Sequence, residues 1–154
     1  MKTKFVQATL AVALVIGLMQ SCKPKNSSDA SVGDAEKAYV APGKYDEFYN
    51  FVSGGFSGQL SVYGLPSGRL FRVIPVFSVD PEKGWGYSEE TKPMLNTSHG
   101  FVPWDDLHHT EMSQTNGEVE GRWACGNANN TPRIARIDLK TLKTAEIIEL
   151  QKSG

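Results

Sequence analysis

The chain has 154 residues, which is about the size of one ordinary domain. Apolar residues make up 40% and charged residues 21%, so the composition excludes a chain that is disordered throughout. The net charge is −1 and lysine and arginine form no long run, which excludes electrostatic binding of nucleic acid.

The N-terminus has the pattern of an export signal, and we place the leader at residues 1–22. Lys2 and Lys4 precede an apolar run, Phe5 to Met19, which is shorter than the roughly 20 residues of a membrane-spanning helix. Ser21 and Cys22 follow, and a small residue before cysteine is typical of a bacterial lipoprotein leader with a lipid anchor on that cysteine. Cleavage nearby would instead leave Cys22 as an ordinary thiol. Both interpretations predict a periplasmic or cell-envelope protein.

Residues 23–43 are rich in Ser, Ala, Gly, Pro and charge, which predicts a disordered linker before a folded region at 44–154. The second cysteine, Cys125, lacks a Cys-x-x-Cys context, so we expect it to be a small buried apolar residue rather than a metal ligand.

Short strands separated by turns are predicted in the first half of the folded region. The aromatic stretch from Tyr45 to Val52 is compatible with a helical turn. Gln59 to Tyr63 and Arg69 to Phe77 predict a hairpin, in which Pro75 indicates an edge strand or a bulge. Residues 78–103 are irregular, and a loop of that length is typical of a functional segment or a lid.

Four more strands are predicted, at Leu107 to Ser113, Glu118 to Gly126, Arg133 to Leu139 and Thr144 to Leu150. Ile134 and Ile137 are out of phase by one residue, which predicts an irregularity in the third. Four short strands with tight turns over about 45 residues are typical of one β-propeller blade. We therefore predict an all-β chain with roughly two blades. Because stacked repeats need several units, we expect it to be the N-terminal portion of a longer propeller.

The densest group of potential metal-binding side chains lies just before and at the start of the first of these four strands. His108 and His109 are adjacent, and neutral imidazole binds copper, zinc, iron and nickel well. Neighbouring side chains on a regular strand point to opposite faces. Both imidazoles can therefore reach one metal only at a bulge or strand end, or they bind different metals of a multinuclear centre.

Carboxylates surround this pair of histidines. Asp106 is a candidate to orient a ligand imidazole through its other ring nitrogen, or else to cap a turn. Asp105 and Glu111 are expected to be solvated, and His99 is expected to be an exposed loop residue.

An ordered series of short motifs extends over Tyr45 to Leu150. Its members include Gly64-Leu65-Pro66-Ser67-Gly68-Arg69, Ile74-Pro75-Val76-Phe77, Gly84-Trp85-Gly86, Asp106-Leu107-His108-His109, and Arg133-Ile134-Ala135-Arg136-Ile137-Asp138-Leu139. Together they resemble the N-terminal part of nitrous-oxide reductases, of the group exported through the general secretory route.

The resemblance implies a copper enzyme of denitrification. Its propeller has seven blades and holds a sulfide-bridged four-copper cluster through seven histidines, and His108 and His109 match the first two. A calcium site and a cupredoxin-like domain with a dinuclear copper centre are also implied. So is a head-to-tail homodimer that takes electrons from a c-type cytochrome or similar donor. The implied reaction is the two-electron, two-proton reduction of nitrous oxide to dinitrogen and water.

This sequence departs from the pattern in several respects, which include Phe56, near which the family usually has histidine or glutamine, and Cys125-Gly126, where an apolar and then a polar residue are common. Asp105 stands where the family usually has glycine, and the other implied ligands and the electron-entry domain are missing. We therefore expect a fragment that is inactive alone. The alternative is a non-catalytic, propeller-type surface lipoprotein that binds a protein or glycan, with the histidines incidental.

Overall fold

The computed structural model describes residues 32–151. The predicted leader, Cys22 and residues 23–31 of the predicted linker lie outside this range. The helix α1, Val32–Ala38, lies where the sequence predicted disorder. Its Ala, Glu and Lys residues have high helix propensity. The prediction of disorder relied on the average composition of residues 23–43 and did not take this short run into account. The two helical segments described have seven and four residues, and neither meets the length and apolar content of a membrane span.

The remaining chain is built from antiparallel strands, so the all-β prediction is confirmed. The first sheet has the order β1-β2-β3, with β1 at Phe48–Ser53, β2 at Gln59–Leu65 and β3 at Leu70–Pro75. A 3-10 helix at Lys92–Leu95 precedes the small ribbon of β4, Asn96–Thr97, and β5, Gly100–Phe101.

A four-stranded meander follows, with the order β6-β7-β8-β9. Its strands are β6 at Leu107–Thr115, β7 at Glu118–Ala128, β8 at Arg133–Asp138 and β9 at Lys143–Glu149. All four were predicted within a few residues, and the meander is consistent with a propeller portion. The blade count stays a prediction.

Strand β1 corrects the prediction of a helical turn over Tyr45 to Val52. Phe51 pairs with Val62 of β2, and its side chain packs against the buried core. Aromatic residues favour the half-buried surface of a sheet, and pairing with β2 decides the conformation here. Pro75 ends β3 at an edge of its sheet, as predicted.

The predicted irregularity in β8 is confirmed. Its register against β9 shifts between Arg136 and Ile137. The shift accompanies the buried position of Ile137, whereas Ile134 is 37% exposed.

The two larger sheets share one core. The first sheet and the residues directly after it contribute large side chains, whereas the second contributes Leu107, Ile137 and mainly alanine; the members are Leu60, Val62, Ile74, Val76, Phe77, Leu107, Ala124, Ala128, Ala135 and Ile137. Strand β1 lies against β6, and β3 lies against β9. Thr144 Oγ1 donates a hydrogen bond to the carbonyl of Pro75 at 2.7 Å. This packing brings the start of β6 against the turn after β1.

Replacement of Leu60 by Ala tests the shared core. Leu60 is completely buried, so the substitution should lower the free energy of unfolding by about 2–5 kcal/mol in urea denaturation. Leu70→Ala is the matched control, because Leu70 is 54% exposed and should change stability by only about 0.5 kcal/mol. Equal effects of the two substitutions would contradict a core formed between the sheets.

Candidate metal site

The two adjacent histidines lie at a bulge near the start of β6, at an edge of the four-stranded sheet. His108 pairs with Asn127 of β7, and the register then shifts before Glu111. His109 has a φ of 44°, in the left-handed region that non-glycine residues rarely adopt. The bulge interrupts the alternation of side chains, which is one of the arrangements that allow adjacent histidines to reach the same metal.

The two imidazole rings lie near each other and are accessible. Their centroids are 5.9 Å apart and their planes are inclined by 54°. The side chain of His108 is 41% exposed, and His109 is exposed as well. Two nitrogen donors on one short segment are therefore available to a metal from the solvent side.

Asp106 lies beside His108 and is almost completely buried, at 3% exposure. Its Oδ2 is 3.7 Å from Nε2 of His108, which is beyond hydrogen-bond length but close enough for an electrostatic interaction. Its Oδ1 has no hydrogen-bond partner among residues 32–151. The predicted candidate to orient a ligand imidazole thus lies next to one of the two rings.

Asp105 was predicted to be solvated, and this prediction is wrong, since its exposure is 1%. Its Oδ1 accepts from the backbone and side-chain nitrogens of Asn130, both at 2.9 Å, and from the amide of Asp106 at 2.8 Å. Its Oδ2 accepts from Thr131 Oγ1 at 2.6 Å and lies 3.4 Å from Arg133. The β7–β8 turn therefore surrounds a buried carboxylate.

Opposing effects set the protonation of Asp105. Burial raises the pKa of this carboxyl, but the hydrogen bonds from Thr131, Asn130 and Arg133 to its charged form outweigh burial. The pKa of Asp105 consequently lies below the usual value for aspartate, and the group is ionised at neutral pH.

Sequence reasoning missed Asn130, Thr131 and Arg133, which it assigned to a turn and a strand start. A fully buried arginine needs an acidic partner, so knowledge that Arg133 is buried would have pointed to a nearby carboxylate. The sequence alone did not show that Arg133 is buried, at 1% exposure.

The other predicted residues stand apart from this site. Glu111 and His99 are exposed, as predicted, and His99 belongs to the turn between β4 and β5. Cys125 is a free thiol and is only partly buried. Within the described range, no three or more His, Cys, Asp or Glu side chains come together as a metal-binding set. The described part of the site therefore has two imidazole donors and Asp106 beside them.

Substitution of His109 tests the bulge. Because φ is positive, His109→Val should lower the free energy of unfolding by about 1–2 kcal/mol, whereas His109→Gly should retain or raise it, as measured by urea denaturation. His99→Val is the control, because His99 is exposed and lies outside the left-handed region. A valine variant as stable as the original, with a less stable glycine variant, would contradict backbone strain at this position.

Acid titration tests the buried carboxylate. An aspartate whose pKa is lower in the folded state than in the unfolded state stabilises the fold at pH values above its unfolded-state pKa of about 3.9. This contribution is lost as the pH falls through the folded-state pKa. We expect Asp105→Asn to be less stable at pH 6 and to lose stability less steeply below pH 4. Denaturant unfolding at several pH values measures both, and an unchanged steepness would contradict the ionised state of Asp105.

Comparison with known proteins gives one consistent result. No family model matches the chain. Nitrous-oxide reductase of Pseudomonas fluorescens is 40% identical over 112 residues, 73% of this chain and 17% of that protein. The Stutzerimonas stutzeri protein of the same name is 38% identical over 113 residues, 73% of this chain and 18% of that protein. The one from Ralstonia nicotianae is 33% identical over 153 residues, 93% of this chain and 24% of that protein. The resemblance predicted from the motifs is confirmed, and the chain spans less than a quarter of the length of these relatives.

Proposed function

We propose that this chain, which is similar to nitrous-oxide reductases over most of its length, is the N-terminal part of such an enzyme. The whole enzyme would reduce nitrous oxide to dinitrogen and water with two electrons and two protons. A c-type cytochrome or similar donor would supply the electrons, and a second copy of the chain would form the dimer.

The observation that carries this proposal is the bulged pair of histidines. Imidazole is a ligand that copper binds strongly. His108 and His109 present two imidazoles within 5.9 Å on the exposed side of an edge strand, so the residues fit a copper site. Two donors do not complete such a site, and the proposal therefore requires further ligands from a part of the enzyme beyond the described residues. A copper–sulfide cluster bound there would supply the redox chemistry.

In this proposal, Asp106 selects which nitrogen of His108 binds the metal. Its buried carboxylate faces Nε2, so the imidazole is favoured as the tautomer with the proton on that atom. The lone pair then remains on Nδ1. The same negative charge attracts this N–H and favours the present orientation of the ring. The direction of the His109 side chain is set by the backbone bulge.

The proposal also includes export. The pattern of residues 1–22 supports a location in the periplasm or cell envelope, and Cys22 is the candidate for a lipid anchor. Residues 23–43 would then separate the strands from that anchor.

Copper titration of the purified chain tests the ligand assignment. We expect the chain to bind copper weakly, and His108→Ala with His109→Ala to weaken binding at least about tenfold, as measured by equilibrium dialysis with metal analysis. His99→Ala is the matched control, because it removes an exposed imidazole at another position. Unchanged copper affinity in the double variant would contradict the assignment.

The same double substitution in a complete enzyme tests the proposed reaction. Loss of nitrous-oxide reduction, with the dinuclear copper centre still loaded, is the expected result. Retained reduction would show that the two histidines are incidental and would favour a binding role for this domain.

A further inference from the structure

The three residues before the His108–His109 pair are held by the end of β1 and by residues that follow β1 and β3. The amide of Asp105 donates to the carbonyl of Phe77 at 2.7 Å, and the amide of Leu107 donates to the carbonyl of Gly55 at 3.0 Å. Ser53 Oγ donates to the carbonyl of Leu107. Residues 105–107 thus have their backbone fixed before β6 reaches the two imidazoles.

The turn between β7 and β8 holds the same segment from the other side. Asn129 donates its amide to the carbonyl of Asp106 at 3.1 Å. The carboxylate of Asp105 binds the next two residues of that turn through the contacts described above. The turn and the segment that begins β6 are therefore directly hydrogen-bonded to each other.

Arg133 connects this turn to the core and is itself buried, at 1% exposure. Its Nε donates to Thr131 Oγ1 at 2.6 Å and its Nη1 donates to the carbonyl of Val102 at 3.3 Å. The guanidinium lies over the ring of Phe77, 5.1 Å from its centroid. The Asp105–Arg133 ion pair therefore links the start of β8 to the segment before β6 and to Phe77, which follows β3.

Such a buried ion pair contributes little net stability. The cost of removing both charges from water often exceeds their attraction, and apolar replacements of similar volume are frequently as stable. A buried pair does, however, favour one arrangement of its surroundings, because any other arrangement leaves a charge without its partner.

We propose that Asp105 and Arg133 are positioning residues that set the geometry of the His108–His109 bulge. Their role in copper binding rests on the proposed function, whereas their effect on the local structure does not. They act through the backbone of residues 105–107 and do not themselves bind the metal. Removal of the Asp105–Arg133 ion pair should change the positions of the two histidines even where the fold is retained.

Two variants of the 154-residue chain test this inference. Asp105→Asn keeps the shape of the side chain and removes its charge. The combination of Asp105→Leu with Arg133→Met replaces the pair by apolar groups and guards against simple loss of folding. Asp138→Asn is the control, because Asp138 pairs with Arg122 at 2.5 Å on the same sheet. Asp138 is remote from the bulge, because it pairs with Trp123 of β7, which is four residues from Asn127, the partner of His108.

Amide hydrogen exchange and copper affinity are the two readouts. We expect exchange at Leu107 to rise by about tenfold or more relative to Ile137 in both variants. Copper affinity should fall about tenfold, including in the apolar variant with a melting temperature near that of the original. The control should change neither readout.

An apolar variant with the original melting temperature, exchange rates and copper affinity would overturn the positioning role, and so would a rise in exchange spread evenly over the sheet. If the original chain binds copper independently of His108 and His109, the proposed function fails. The local exchange at Leu107 still decides whether the ion pair positions the bulge.

Discussion

The contact between the two sheets at the start of β6 depends on a carboxylate that is buried and ionised. Asp105 accepts hydrogen bonds from the turn before β8, while its own amide is bound by the carbonyl of Phe77. An ionised group without such partners would be too costly to bury. Hydrogen bonds to a buried charge and apolar packing therefore fix the same segment, and the two histidines of the bulge begin three residues after Asp105.

The sequence predicted well what depends on local pattern. Alternation of apolar residues and Gly or Asn turns located the four strands of the meander, and the phase of Ile134 and Ile137 located the shift in β8. The two-residue period of a strand left a bulge, a strand end or ligation of different metals as the possibilities for His108 and His109, and the structure has a bulge there.

The remainder could not be predicted because it depends on residues distant in the chain. Asp105 is followed by a second aspartate and preceded by an exposed tryptophan, so nothing adjacent indicates burial. Its partners are 25 to 28 positions away. Strand β1 likewise depends on its pairing with β2, since its aromatic residues are compatible with either conformation. For α1, composition averaged over a long segment concealed a short run of helix-forming residues.

The β6–β7 hairpin is attached to the rest of the protein very unequally at its two ends. The Leu107 end is bound by both sheets, whereas the tip at Asn116 and Gly117 is exposed and turns through two left-handed residues, with φ of 54° and 85°. The conformation of such a turn is determined by its own residues and does not depend on contacts with the core. Evolution can therefore lengthen, shorten or decorate the tip while the histidines keep their place, and sequence diversity should collect at the exposed end of the hairpin.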